Sequence, residues 1–265
     1  MPNFKNSIGV PNSGISKDWI VNTKSLHLDG SADYIDYGDQ SFADTGKVQL
    51  SVWIKLDNLS SVQPIYSKGA GTANAVELSV LTNGKIKFTI TTSSTAAIAT
   101  TDDSINHSQW EHIQLYYYGE GTGNAGRVKI SINGAAYGDI TFSGAAIPTT
   151  VPDTGSTNCL VGRAGSTYLD GQINEFCYWV SPNLLPTVGN AWLADSLDGY
   201  IRNFFSVGGT GVYSPNPGEI LTWFRFGDNT NDTTSSLKTY NSRFSITGTV
   251  EGSPSFTTDV PDKDD

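Results

Sequence analysis

Charge is scarce in this chain. Of its 265 residues only 16% are Asp, Glu, Lys or Arg, against an average of about 25%. Helical surfaces draw on Glu, Lys and Arg, so the shortage argues against a mostly helical protein. Basic charge is the scarcer kind: 16 Lys and Arg stand against 26 Asp and Glu, a formal net charge of −10. Such a polyanion repels phosphate backbones, which excludes nucleic acid as a main partner. Long apolar runs are missing too. No stretch of about 18 such residues occurs, so no helical membrane span is expected. No basic start leads into an apolar segment, so no Sec signal peptide is expected and the chain reads as made in a cytoplasm. The only two cysteines, Cys159 and Cys177, stand in no metal-type spacing and are expected to be reduced, behaving as small hydrophobes. No period of about 20–50 residues repeats, which excludes propellers and solenoids.

What is present points to strands. Gly 28 and Pro 11 supply many turns, and aromatics make up 11%. From Ser25 the apolar period is two: Ser25-Leu26-His27-Leu28-Asp29 alternates, and Leu50, Val52, Ile54 and Leu56 share one face of the run Gln49 to Leu56. Ala75 to Leu81, then Asn83-Gly84, then Lys85 to Ile90 is a hairpin signal. Trp110 to Tyr118, Arg127 to Ile132, Cys159 to Val161 and Ile173 to Val180 read as further strands, and Leu221 to Phe226 as a late one. The expected class is all-β, an antiparallel sandwich or jelly roll. Helical spacing occurs once, over 191–205, where Leu193, Leu197, Ile201 and Phe204 form a stripe. Three parts follow: an arm over 1–24, a sandwich over 25–180, and an extension over 181–265 that carries the helix and strands completing the sandwich.

Seven segments, in order, resemble the laminin-G-like, concanavalin A-like jelly roll. They are Ser25 to Ile35, Leu50-Ser51-Val52-Trp53-Ile54-Lys55, Ile65 to Gly69, Ser108 to Ile113, Val128 to Gly134, Leu160-Val161-Gly162-Arg163, and Leu169 to Phe176. The extension, with Trp223-Phe224-Arg225-Phe226-Gly227-Asp228, is similar to versions found in structural proteins of tailed viruses. The chain departs from the pattern at Asn174, where an Asp is usual, and at Cys177, where a basic residue is usual.

The resemblance raises three chemistries. A retaining glucanase needs two carboxylates about 5–5.5 Å apart. Glu111, Glu175 and Glu219 stand alone, so glycoside hydrolysis is disfavoured and no catalytic residue is assigned. Calcium wants six to eight oxygens. Asp29, Asp33 and Asp170 fall at strand ends that this fold brings together, which makes them the candidate calcium ligands. Sugars stack on exposed aromatic faces, and Tyr117, Tyr168 and Trp179 are the candidate glycan contacts. His27 and His112 lie within strands and read as structural, and His107 as solvated.

The leading expectation is a non-enzymatic virion structural protein, a capsid decoration or fibre protein made in the host cytoplasm. Its partners would be other virion proteins or copies of itself, and its exposed jelly roll is a candidate binder of host glycans. The alternative is a free-standing bacterial carbohydrate-binding or adhesion module, extracellular or on the cell surface. If the arm docks copies of the chain, the full-length protein is a defined oligomer and a version lacking residues 1–24 is a monomer; light scattering on the two decides it.

Overall fold

The computed structural model describes residues 23–40, 46–133, 135, 138–180, 220–228, 231–238 and 246–261. Most of the expected arm and the helix expected over 191–205 lie outside the described residues. The chain begins with β1 (Ser25–Asp29), β2 (Tyr34–Asp36), β3 (Lys47–Leu56), β4 (Gln63–Lys68), β5 (Ala75–Val80) and β6 (Lys85–Thr92). Next come β7 (Thr95–Ser104), β8 (Glu111–Tyr118), the short helix α1 (Gly123–Arg127) and β9 (Val128–Ile132). Then follow β10 (Ile140–Gly144), β11 (Cys159–Val161), the small hairpin β12 (Arg163–Ala164) with β13 (Thr167–Tyr168), and the long β14 (Asp170–Val180). β15 (Ile220–Phe224), β16 (Ser236–Lys238), β17 (Thr247–Glu251) and β18 (Ser255–Thr257) complete the described strands.

Two antiparallel sheets form the sandwich. One runs β18-β1-β14-β3-β8-β9, with β15 also paired to β14. The other runs β10-β7-β6-β5-β4-β11-β2-β17-β16. Strand alternation builds the core between them. Val48, Leu50, Val52, Ile54 and Leu56 of β3 point inward, with Ile113, Leu115 and Tyr117 of β8 and Ile173, Phe176 and Tyr178 of β14. The second sheet answers with Ile65, Tyr66, Leu78, Phe88, Ile90 and Val161. Tyr66 stacks on Phe176 with centroids 6.3 Å apart and packs on Tyr178 at 5.2 Å, a contact worth about 0.5–1.5 kcal/mol beyond burial. Both cysteines are free and buried. Cys159 belongs to this core, whereas Cys177 pairs with Ser51 on the opposite face of the first sheet.

β14 carries two neighbours on one edge. Its first half pairs with β1, Leu26 against Ile173, and its second half with β15, Phe224 against Phe176. The changeover is a bulge: the register with β3 shifts between Asn174 and Cys177, and Glu175 takes φ +47°. The extra residue breaks the alternation and re-aims Glu175.

The β6–β7 hairpin carries no sequence signal of the usual kind. Its two-residue turn is Ser93-Ser94, with φ +48° and +65°, a geometry that Asn-Gly normally supplies. Between β8 and β9, Gly119 to Thr122 lead into α1.

Gly171 sits where β1 and β3 both press on β14, opposite Leu28 and Leu56. Its φ is +145°, and a Cβ there would run into the Lys55 carbonyl and lie 2.8 Å from Leu56 Cα. Gly171→Ala is therefore expected to cost about 2 kcal/mol or more, read as a lowered urea midpoint.

Candidate functional site

The outer face of the first sheet is polar and aromatic rather than apolar. In β3 the residues between the core positions are Gln49, Ser51, Trp53 and Lys55. Cross-strand register sets them beside β8: Gln49 faces Tyr116, Ser51 faces Gln114, and Trp53 faces His112. On the other side Lys55 meets Gln172, Trp53 meets Asn174 and Ser51 meets Cys177 of β14. His112 bonds Ser51 Oγ through Nε2 at 2.8 Å, and its ring lies 5.0 Å from that of Trp53. Burial holds the His112 imidazole down at about 4. Gln114 is 1% exposed with neither amide atom partnered, an arrangement that costs about 1–3 kcal/mol and that packing does not explain.

A buried ionic cluster occupies the bulge. Glu175 is 2% exposed and Arg225 3%. Arg225 Nε donates to Glu175 Oε1 at 3.0 Å and Trp223 Nε1 donates to Glu175 Oε2 at 2.5 Å. Arg225 Cζ lies 5.5 Å from the Trp223 ring, and its Nη2 is 3.9 Å from Asp228 Oδ2. Asp228 in turn accepts from Thr23 N at 2.8 Å and Thr23 Oγ1 at 2.5 Å, while Asn174 Nδ2 donates to Lys24 O at 3.1 Å. The cluster thus joins the entry to β1 to the exit from β15. Burial outweighs the attraction of Arg225 and the Trp223 hydrogen bond and pushes the Glu175 carboxyl up to about 6. Burial raises the neighbouring Cys177 thiol as well.

A second charged group lies at the β1 end of the same face. Asp259 Oδ2 accepts from Lys55 Nζ at 2.6 Å and Gln172 Nε2 at 2.9 Å, and its Oδ1 from Trp110 Nε1 at 3.0 Å. Partial burial of Asp259 is outweighed by these hydrogen bonds, which hold its carboxyl below the ordinary range.

The residues expected from the sequence separate. Tyr117 is a correction. It points into the core against Phe88 and donates to Pro148 O at 2.8 Å, because even spacing from Ile113 and Leu115 sets it inward. It offers no face to a sugar, and burial pushes its hydroxyl up to about 12. Trp179 lies in β14 opposite Gln49, and its side chain lies outside the described residues. Tyr168 is partly exposed on the small hairpin. Its ring centroid is 6.1 Å from that of Tyr34. Arg163 lies over both, its Cζ 4.6 Å from the Tyr34 centroid and 5.3 Å from that of Tyr168.

Asp29, Asp33 and Asp170 do meet at one end of the sandwich. Asp29 pairs with Asp170 across β1 and β14, and the Asp29 amide donates to Asp33 Oδ2 at 3.2 Å. Their oxygens, however, are turned to hydrogen-bond donors. Asp29 Oδ1 accepts from the amides of Ser31, Ala32 and Asp33, and Oδ2 from Ser31 Oγ. The Ser31 hydroxyl, with these amides, lowers its carboxyl to about 2. Asp33 Oδ1 accepts from Ser253 N at 2.7 Å, and Asp170 Oδ2 from Asn58 Nδ2. Five of these six carboxylate oxygens accept hydrogen bonds, whereas calcium wants six to eight oxygens. Among the described residues no group of three or more His, Cys, Asp or Glu could hold a metal ion.

Residues 29–182 match the family model of the concanavalin A-like lectin/glucanases superfamily. The chain belongs to that superfamily. Among solved structures, a candidate carbohydrate binding protein from Bacteroides ovatus is similar over 91% of this chain and 62% of its own, at 15% identity and TM-score 0.52. Domain 4 of an extracellular arabinanase from Geobacillus stearothermophilus, solved with arabinotriose, aligns over 64% and 75% at 18% identity and TM-score 0.45. A sialidase carbohydrate-binding module from Ruminococcus gnavus, solved with α2,3-sialyllactose, aligns over 56% and 85% at 16% identity and TM-score 0.44. No curated protein sequence matches the chain. Within the superfamily's fold, the polar face is what sequence reading missed. The signal lay in the same alternation that marked Leu50 to Leu56 as core, since the skipped positions spell Ser51, Trp53 and Lys55.

Glu175 and His112 titrate with opposite effects. Glu175 moves from an ordinary 4.5 to about 6. The folded chain keeps this proton where the unfolded chain releases it, so the contribution of Glu175 to stability is full below pH 4.5 and is lost as pH rises through 6. His112 moves from 6.5 to about 4, so its contribution is full above pH 6.5 and is lost as pH falls through 4. In Glu175→Gln only the histidine effect remains in this window. Its urea midpoint is expected to rise from pH 4.5 to 6.5 more steeply than that of the parent chain, and equal slopes would contradict the buried carboxyl.

Proposed function

We propose that this chain is a non-catalytic carbohydrate-binding domain that seats a sugar ring on the cluster of Tyr34, Arg163 and Tyr168. The observation that carries the reading is that cluster. Two partly exposed tyrosines share one guanidinium, which braces the rings and leaves an aromatic surface with hydrogen-bonding edges. Sugars combine apolar C–H faces with hydroxyls, and this mixture of ring faces, phenolic hydroxyls and guanidinium suits both. Arg163 is held in place by Nε donating to Gly165 O at 2.9 Å, and its carbonyl accepts from Ser67 Oγ at 2.6 Å. Binding rather than hydrolysis is supported by the polar face, where β3, β8 and β14 present amides, serine, lysine and aromatics and no pair of carboxylates on alternate positions. Membership of the superfamily fits the same reading.

The proposal extends to setting: the domain is displayed on a virus particle, attached through its arm or its C-terminal extension. The support is the resemblance of the extension to tailed-virus structural proteins and the acidic charge of the chain.

A glycan array with the full chain identifies the sugar, and calorimetry then compares Tyr168→Ala on the best glycan. The variant is expected to lose about tenfold or more in affinity with an unchanged melting temperature. Undiminished binding by Tyr168→Ala, or an array without signal, overturns the assignment.

A further inference from the structure

The Asp259 carboxylate is held the way a ligand is held. Its three donors come from separate parts of the first sheet and converge from one row. Gln172 of β14 pairs with Lys55 of β3, and Trp110 immediately precedes β8, whose Glu111 pairs with Ile54. Lys55 Nζ and Gln172 Nε2 share Oδ2 at 2.6 and 2.9 Å, and Trp110 Nε1 takes Oδ1 at 3.0 Å. A cation, an amide N–H and an indole N–H thus bind both oxygens of one carboxylate, and charge assistance makes such bonds the strong ones. Trp110 brings an aromatic ring to the same spot. Asp57, next to Leu56 at the end of β3, is engaged by His27 Nε2 at 3.1 Å, and its amide donates to Asp170 O at 3.1 Å.

The carboxylate itself comes from a short segment whose Phe256 packs on the core. It lies two residues beyond β18, a strand of three residues that among the described residues pairs only with β1. Past Thr257, Asp259 N donates to Thr257 Oγ1 at 2.9 Å, Ser25 Oγ donates to Asp259 O at 2.5 Å, and Pro261 is buried. The Asp259 side chain is 40% exposed and that of Lys55 25%, so the contact opens to solvent.

We infer that Lys55, Gln172 and Trp110 form a carboxylate-binding site for an acidic sugar, a hexuronic acid residue, and that Asp259 occupies it as an internal competitor. Withdrawal of the Asp259 carboxylate alone frees these three donors, the set that a sugar carboxylate would use, beside the indole of Trp110, itself 6% exposed. The site is separate from the tyrosine cluster and stands without it.

The test titrates the full chain and Asp259→Ala with galacturonic acid, and with galactose as the neutral counterpart. Asp259→Ala is expected to bind galacturonic acid about tenfold more tightly than the parent, one charged hydrogen-bonding group having been cleared from the site. Galactose is expected to bind both alike, and adding Lys55→Ala to Asp259→Ala is expected to remove the gain. If Asp259→Ala melts lower than the parent, galacturonate is expected to restore the melting temperature where equal chloride does not. No gain in affinity and no such restoration overturn the proposal, as does an equal gain for galactose. The Tyr168→Ala comparison reads a different surface, so either result is independent of the other.

Discussion

β14 must hold three strands, two of them on one edge. Collinear strands leave a gap in the ladder where one ends and the next begins, and a gap inside a sandwich exposes backbone groups that have to be satisfied. The bulge at Glu175 resolves this. It turns a carboxylate into the junction, where it takes the guanidinium and indole N–H brought by β15, while Asn174 takes the carbonyl of Lys24 before β1. The ion pair is costly to bury and costlier to break, since either partner alone would be an uncompensated buried charge. It therefore specifies where the C-terminal extension joins the sheet.

This splice also explains the character of the outer face. With Glu175, Arg225 and Trp223 at its centre, the sheet cannot present a plain apolar surface there. Serine, glutamine, asparagine and histidine continue the polar pattern along β3, β8 and β14, with Trp53 and Tyr116 among them. Asp259 then arrives on the same face from the far end of the chain. The tyrosine and arginine cluster belongs to the small hairpin and β2, away from these rows in the topology, so the two proposed sites occupy different elements.

Much of the fold was legible because alternation is a local property. β1 spans Ser25–Asp29, as the pattern implies, and the Asn83-Gly84 turn joins β5 to β6. β7 was not legible, since Ser93-Ser94 makes a turn that serine rarely marks and its Ala and Asp residues carry weak β signal. Tyr168, singled out from its loop setting, lies in β13 beside Tyr34 and Arg163. Tyr117 was misread because a run of three tyrosines shows that alternate rings face opposite ways without saying which way is in; Ile113 and Leu115 decide it.

By itself, the sequence determined strand identity, the ordered motif set and with them the superfamily, because spacing of two and turn chemistry are read within ten residues or so. The tertiary structure decided the sites. Asp259 lies 204 residues from Lys55, Arg225 lies 50 from Glu175, and Tyr34 meets Arg163 only through the sheet order β11-β2. Such contacts depend on strand register and on which face each strand buries. Both are fixed by packing two sheets against one core, and no local pattern contains them.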